Sequence, residues 1–121
     1  MEVKKNRLVE ESEAFAMRIV KLYKHLQGKK ELVMSKQVLR SGTSIGANIA
    51  EAQYAQSRED FISKMSIALM ECSETLYWLR LLNRSDIIES NASYNSLYDN
   101  AETLLSLLAS TVKTAKQKKG Y

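Results

Sequence analysis

The sequence predicts an all-α fold, a single-domain antiparallel four-helix bundle of up-down-up-down topology. Three observations carry this. The 121 residues contain no proline and four glycines, which leaves little turn chemistry for a strand-rich fold. Apolar residues recur at steps of three and four in four separate segments, the spacing of one helix face. The connections between those segments are short, so successive helices must lie antiparallel. A 45% hydrophobic share with 26% charged residues suits one small globular core.

The first helix is expected over about 10–27, where Leu8, Phe15, Ile19, Leu22 and Leu26 repeat at helical steps and Gly28 is a natural residue to follow the end. The second, over about 32–54, contains the stretch QVLRSGTSIGANIAEA from Gln37 to Ala52. Gln37, Arg40, Ser44, Asn48 and Glu51 fall on one polar row, and Val38, Ile45, Ile49 and Ala52 on an apolar row beside it. Between the rows lie Gly42, Gly46 and Ala50. Each glycine inside a helix costs about 1 kcal/mol against alanine, which selection tolerates where another backbone must come close. Ser-Gly-Thr-Ser could also punctuate a loop. Both rows keep their register through the glycines, which favours a helix packed on more than one side.

The third helix is expected over about 58–83, opened by a capping-box-like pair, Ser57 and Asp60. Phe61, Met65, Ala68, Cys72, Leu76, Leu79 and Leu82 form one apolar row. Ile67, Met70, Tyr77, Trp78 and Leu81 form a second. A helix on the outside of a lone bundle needs one stripe, so the second row is the candidate interface with further copies of the chain. The segment NRSDIIES then breaks the period, with Ile87 and Ile88 expected against the bundle end. Ser90 is the expected N-cap of a fourth helix over about 91–117, which carries Tyr94, Leu97, Tyr98, Ala101, Leu104, Leu105, Leu108, Val112 and Ala115. Lys113, Lys116, Lys118 and Lys119 crowd its end.

The run LRSGTSIGANIAEA, followed by SREDFISKMSIALMECSETLYWLRLL, resembles the four-helix-bundle family named for the 23S rRNA intervening-sequence proteins, also labelled S23-like. The matching positions are Gln37, Arg40, Ser44, Asn48, Ile49, Ala50, Glu51, Ser57, Phe61, Ala68, Glu74 and Trp78. The resemblance implies a pentameric bundle barrel. It extends to the accessory proteins of diversity-generating retroelements, whose basic surface engages nucleic acid and a reverse transcriptase. The word "ribosomal" attached to some relatives reflects gene location and implies no ribosomal role.

Screening for chemistry yields mostly negatives. His25 is the single histidine and Cys72 the single cysteine, so neither a Cys/His zinc site nor a disulfide framework is available. His25 has no spaced partner for nucleophilic catalysis, and Cys72 lies in an apolar row as a small core residue. Gly42-Thr43-Ser44-Ile45-Gly46 lacks the lysine of a phosphate loop. The polar row with Glu71 and Glu74 could in principle hold a metal or do acid-base work, but the Glu-x-x-His pattern of bundle carboxylate sites is missing. The expectation is structural: Arg40 paired with Glu74 or Glu51, while Gln37, Ser44 and Asn48 bond across helices. No cofactor and no enzymatic activity are expected.

Charge supplies the remaining signal. The formal net charge is +4 and the pI about 9.2. Arg18, Lys21, Lys24, Lys29 and Lys30 follow one another with no acid between them, making a candidate nucleic-acid face for RNA or DNA. Part of that run complements the helix dipole, and an ordinary solvated face is its bland alternative. The functional expectation is a homo-oligomeric accessory that binds nucleic acid or a nucleic-acid enzyme. The alternative is a scaffold or interaction module without nucleic-acid binding. A single cysteine, an N-terminal stretch MEVKKNRLVEESEAF without an apolar core and no run near the roughly 18 apolar residues of a membrane span suggest a cytoplasmic protein with no membrane partner.

Overall fold

The computed structural model describes residues 2–117, with side chains from Arg7 onward. It consists of α1 (Glu2–Gly28), α2 (Met34–Ala52), α3 (Arg58–Arg84) and α4 (Ala92–Gln117). Among the described residues there is no strand, and Lys118 and Lys119 of the C-terminal lysine cluster lie outside them. The first helix starts well before Glu10. Leu8 joins the core and Arg7 pairs with Glu11 at 2.6 Å one turn on, so the helical period continues upstream.

Helix ends follow local chemistry, with two departures from the sequence reading. Gly28 does not close α1. The left-handed residue is Lys30, φ 65°. Glu31 N–H donates to Leu26 O and Lys30 N–H to Gln27 O, both at 2.9 Å, the paired bonds of a Schellman closure. The same pattern ends α3, with Asp86 at φ 61°, Ile87 N–H on Leu82 O at 2.9 Å and Asp86 N–H on Asn83 O at 3.1 Å. In both helices the closure turns on the last core leucine, Leu26 or Leu82, so burial rather than the glycine sets where the chain reverses. This turn carries Ile87 and Ile88 against the core.

Ser90 is not the cap of α4. Asn91 Oδ1 accepts the Tyr94 N–H at 2.8 Å, and Ser90 Oγ accepts instead from Asn83 Nδ2 at 2.9 Å. Ser57 does cap α3, its hydroxyl accepting the Asp60 N–H at 3.0 Å while Asp60 accepts the Gln56 N–H at 3.2 Å. The start of α2 has no side-chain cap at Val33. Glu31 reaches forward and accepts the N–H groups of Val33 at 3.1 Å and Met34 at 2.8 Å.

The four apolar rows meet in one core. Val38, Ile45, Ile49 and Ala52 of α2 are buried, as are Met65, Ala68, Cys72, Leu76, Leu79 and Leu82 of α3, with Phe61 half-buried at the edge. Each large side chain so buried contributes about 1.5–3 kcal/mol. Gly42 and Gly46 are the close approach of α2 to α1, facing Ile19 and Ser12, whereas Ala50 is exposed and takes no part. A small polar layer crosses from α2 to α3, where Ser41 and Thr75 are buried with their hydroxyl oxygens 2.8 Å apart. Neighbours in sequence pack most closely, and the seam between α1 and α4 is the sparsest.

Candidate functional site

The basic half of α1 faces that open seam. Arg18 is half-buried and its guanidinium reaches across to α4, donating to Ser96 Oγ at 3.1 Å, to Asn100 Oδ1 and to the Ser93 carbonyl at 3.3 Å. Lys29 Nζ donates to the Ile87 carbonyl at 2.7 Å. Every one of these acceptors is neutral. Two of the five cations therefore hold the start of α4 and the 85–91 connection against α1 while keeping their charge uncompensated. Lys21, Lys24 and Lys30 are exposed, and Lys30 also serves as the left-handed residue of the α1 closure.

Between α1 and α4 runs a groove of about 870 Å³ that brings Arg18, Lys21, His25 and Lys29 together over an apolar floor. Lys24 and Lys30 lie outside its lining. Sequence spacing identified the cations; it could not show that Tyr94 and Ser93, some seventy-five residues later, would stand opposite Arg18.

The polar row forms only part of the cross-helix network expected of it: Arg40 does pair with Glu74 of α3, but at the solvent edge, and Asn48 bonds within its own helix. Arg40 is 48% exposed; it donates to Glu71 at 3.1 Å and also to Glu74. The indole N–H of Trp78 donates to Glu74 at 2.9 Å. The Trp78 hydrogen bond, and then Arg40, hold the Glu74 carboxyl below its ordinary range; the Glu74 hydrogen bond first of all raises Arg40. Any stability this pair confers is present above the carboxylate's unfolded value and is lost as pH falls through its lower folded value. Glu51 pairs with Lys64 at 2.9 Å instead of with Arg40. Asn48 Nδ2 donates to Ser44 O at 2.9 Å within α2, and Gln37 is exposed. The row sits at the edge of the α2–α3 contact, while Ser41 and Thr75 occupy its middle. Solvent screening makes such a half-exposed pair weak, so Arg40→Ala is expected to cost about 1 kcal/mol or less. A buried pair would cost about 3–5 kcal/mol. Denaturant midpoints of parent and variant distinguish the two.

On the outer face of α3, Met70 is 67% exposed, Tyr77 49% and Ile67 38%. Trp78 and Leu81 are half-buried, Trp78 against the core with its ring 5.2 Å from Tyr77 in edge-on contact. Leu32, Val33, Tyr54 and Met17 are also exposed apolar positions. Sequence reasoning missed these four: three lie in or beside connections, where there is no period to mark them, and Met17 lies off the α1 core row.

Among the described residues, no three His, Cys, Asp or Glu side chains converge on a point where a metal could sit. No helix among them is long and apolar enough to cross a membrane. Cys72 is fully buried, with Sγ 3.3 Å from the Ala101 carbonyl, and burial pushes its thiol up to about 12. A thiol reagent at pH 8 should leave Cys72 unmodified in the folded chain and label it completely in denaturant. Rapid labelling without denaturant would show that α3 and α4 separate.

Fold and site together define a small all-helical bundle with a cationic seam and an exposed apolar face on α3. The chain belongs to the 23S rRNA-intervening sequence protein family, whose model matches residues 4–110. It is similar to a crystal structure of a protein of unknown function from the S23 ribosomal protein family of Bacteroides thetaiotaomicron VPI-5482. The two are 51% identical with a TM-score of 0.86, over 91% of this chain and 98% of that one. No curated protein sequence matches it.

Proposed function

We propose that this chain is a non-enzymatic accessory protein that assembles with copies of itself and binds nucleic acid, RNA or DNA, through the basic half of α1. A nucleic-acid enzyme such as a reverse transcriptase is the protein partner that fits the same face. The observation that carries the reading is the set of cations along the α1–α4 seam, of which Arg18 and Lys29 are oriented by neutral acceptors. Fixed, uncompensated positive charge attracts phosphate, and each contact made releases a counterion. Assembly is supported by Ile67, Met70 and Tyr77 on α3, which lie outside the core of a single copy. In a closed ring the basic face recurs in every subunit, so modest charge per chain gains avidity.

The test is fluorescence anisotropy with RNA, single-stranded DNA and duplex DNA at low salt, with light scattering on the same samples. Binding should fall steeply with salt, and Lys21→Glu with Lys24→Glu should weaken it by about tenfold or more while the mass stays well above that of the 13.8 kDa monomer. Lys29 is left in place because it holds the 85–91 connection. A monomer refutes assembly. Binding that is lacking at roughly tens of micromolar, or unchanged by the reversal, refutes the nucleic-acid role. The apolar α3 face would then support a scaffold without nucleic acid.

A further inference from the structure

The α1–α4 groove has more structure than a charged surface needs. Its floor is apolar, built from Leu22, Ile88 and Leu97 with the ring of Tyr94. The ring is held in place: its hydroxyl donates to the Leu79 carbonyl at 3.2 Å and it packs 5.9 Å from Tyr98. The rim carries three permanent cations, Arg18, Lys21 and Lys29, against one acid, Glu89. At about 870 Å³ the groove falls within the size range of ligand sites for small organic molecules. A simple inorganic anion would leave the floor unused, and an uncharged apolar ligand would leave the cations unused.

We propose that this groove binds a nucleotide unit, with its phosphate at the cationic rim by Arg18 and Lys21, three residues apart on one face of α1, and its base laid on the apolar floor beside Tyr94. Where the unit belongs to a strand, the inference rests on the nucleic-acid reading above and narrows it to single strands. In a duplex the base faces are stacked inside the helix and only the phosphates reach the rim. A single strand offers both. Ser93 and Asn91 line the same groove at the start of α4, where Asn91 Oδ1 caps the helix and its Nδ2 and the Ser93 hydroxyl are the polar groups nearest a bound base.

Ser93→Trp tests it. Ser93 is exposed on the first turn of α4, so the indole fills the groove without removing a cation, the Asn91 cap or the backbone carbonyl that accepts from Arg18. The probes are a fluorescein-labelled oligothymidylate, the same strand paired with oligodeoxyadenylate, and uridine 5′-monophosphate followed by amide shifts in a nitrogen-15 spectrum. The parent should bind the single strand about tenfold more tightly than the duplex. Ser93→Trp, with its melting temperature unchanged, should lose that difference and keep its duplex binding. The mononucleotide should shift amides around Leu22, Ile88 and Tyr94 in the parent. Equal affinities for the two oligonucleotides, indifferent to Ser93→Trp and with no mononucleotide shift at the groove, overturn the site and leave the basic-face reading standing. Mononucleotide shifts at the groove without oligonucleotide binding overturn that reading and leave a site for free nucleotides. Neither shift nor binding overturns both.

Discussion

Gly42→Ala is expected to destabilise the bundle by up to about 2 kcal/mol, while Gly46→Ala, one turn further on, stabilises it by up to about 1 kcal/mol. Both substitutions gain the same helix propensity, about 1 kcal/mol, so the difference lies in what the new methyl group meets. At Gly42 it would stand 2.8 Å from Ile19 Cγ1, 2.9 Å from Cγ2 and 3.3 Å from Cβ. Ile19 is fully buried and β-branched, with one strongly preferred side-chain rotamer in a helix, so it has nowhere to turn. Overpacking of that kind costs about 1–3 kcal/mol, which over most of its range exceeds what the propensity returns. At Gly46 the nearest atoms are Ser12 Oγ at 3.4 Å and the Ser12 backbone at 3.5 Å and beyond, which is close to ordinary contact. Urea denaturation of the two variants checks the opposite signs. A stabilised Gly42→Ala would mean that α1 and α2 stand further apart than described.

Much of the fold was legible because helical period survives in the sequence. Phe15, Ile19 and Leu26, Val38, Ile45 and Ile49, and the α3 row from Met65 to Leu82 are all core residues. Closures were less legible. Gly28 carries the right residue type for a helix end, but Leu26 must finish buried, and that tertiary requirement moves the reversal to Lys30. The polar row was visible as a row. The pairing of Arg40 with Glu74 was among those expected, but its exposure was not, because the rotation of α2 against α3 puts Arg40, Glu71 and Glu74 at the solvent edge while Ser41 meets Thr75 inside. Serine and threonine in a helix read as neutral positions, so nothing local marked Ser12, Ser35, Ser41 and Thr75 as buried. The basic run was equally plain as charge, whereas its groove depends on contacts between α1 and α4 that no local spacing encodes.

Thr75→Val is expected to cost about 2 kcal/mol although it changes almost no volume. Thr75 Oγ1 lies 2.8 Å from Ser41 Oγ and 2.8 Å from the Glu71 carbonyl oxygen. A carbonyl cannot donate, so the single Thr75 proton serves Glu71, and Ser41 donates its own proton to Thr75. Both residues are fully buried, so valine at 75 leaves the Ser41 hydroxyl without its acceptor and without water. Ser41→Ala alone should cost less, about 1 kcal/mol, because Thr75 keeps its bond to Glu71. In the double variant the orphaned hydroxyl is gone, and the combined loss should fall short of the sum by about 1 kcal/mol. Thermal or urea unfolding of the two single variants and the double variant measures the coupling. Strict additivity would show that Ser41 finds another acceptor, such as the carbonyl one turn back in α2, and that the buried polar layer does not tie α2 to α3.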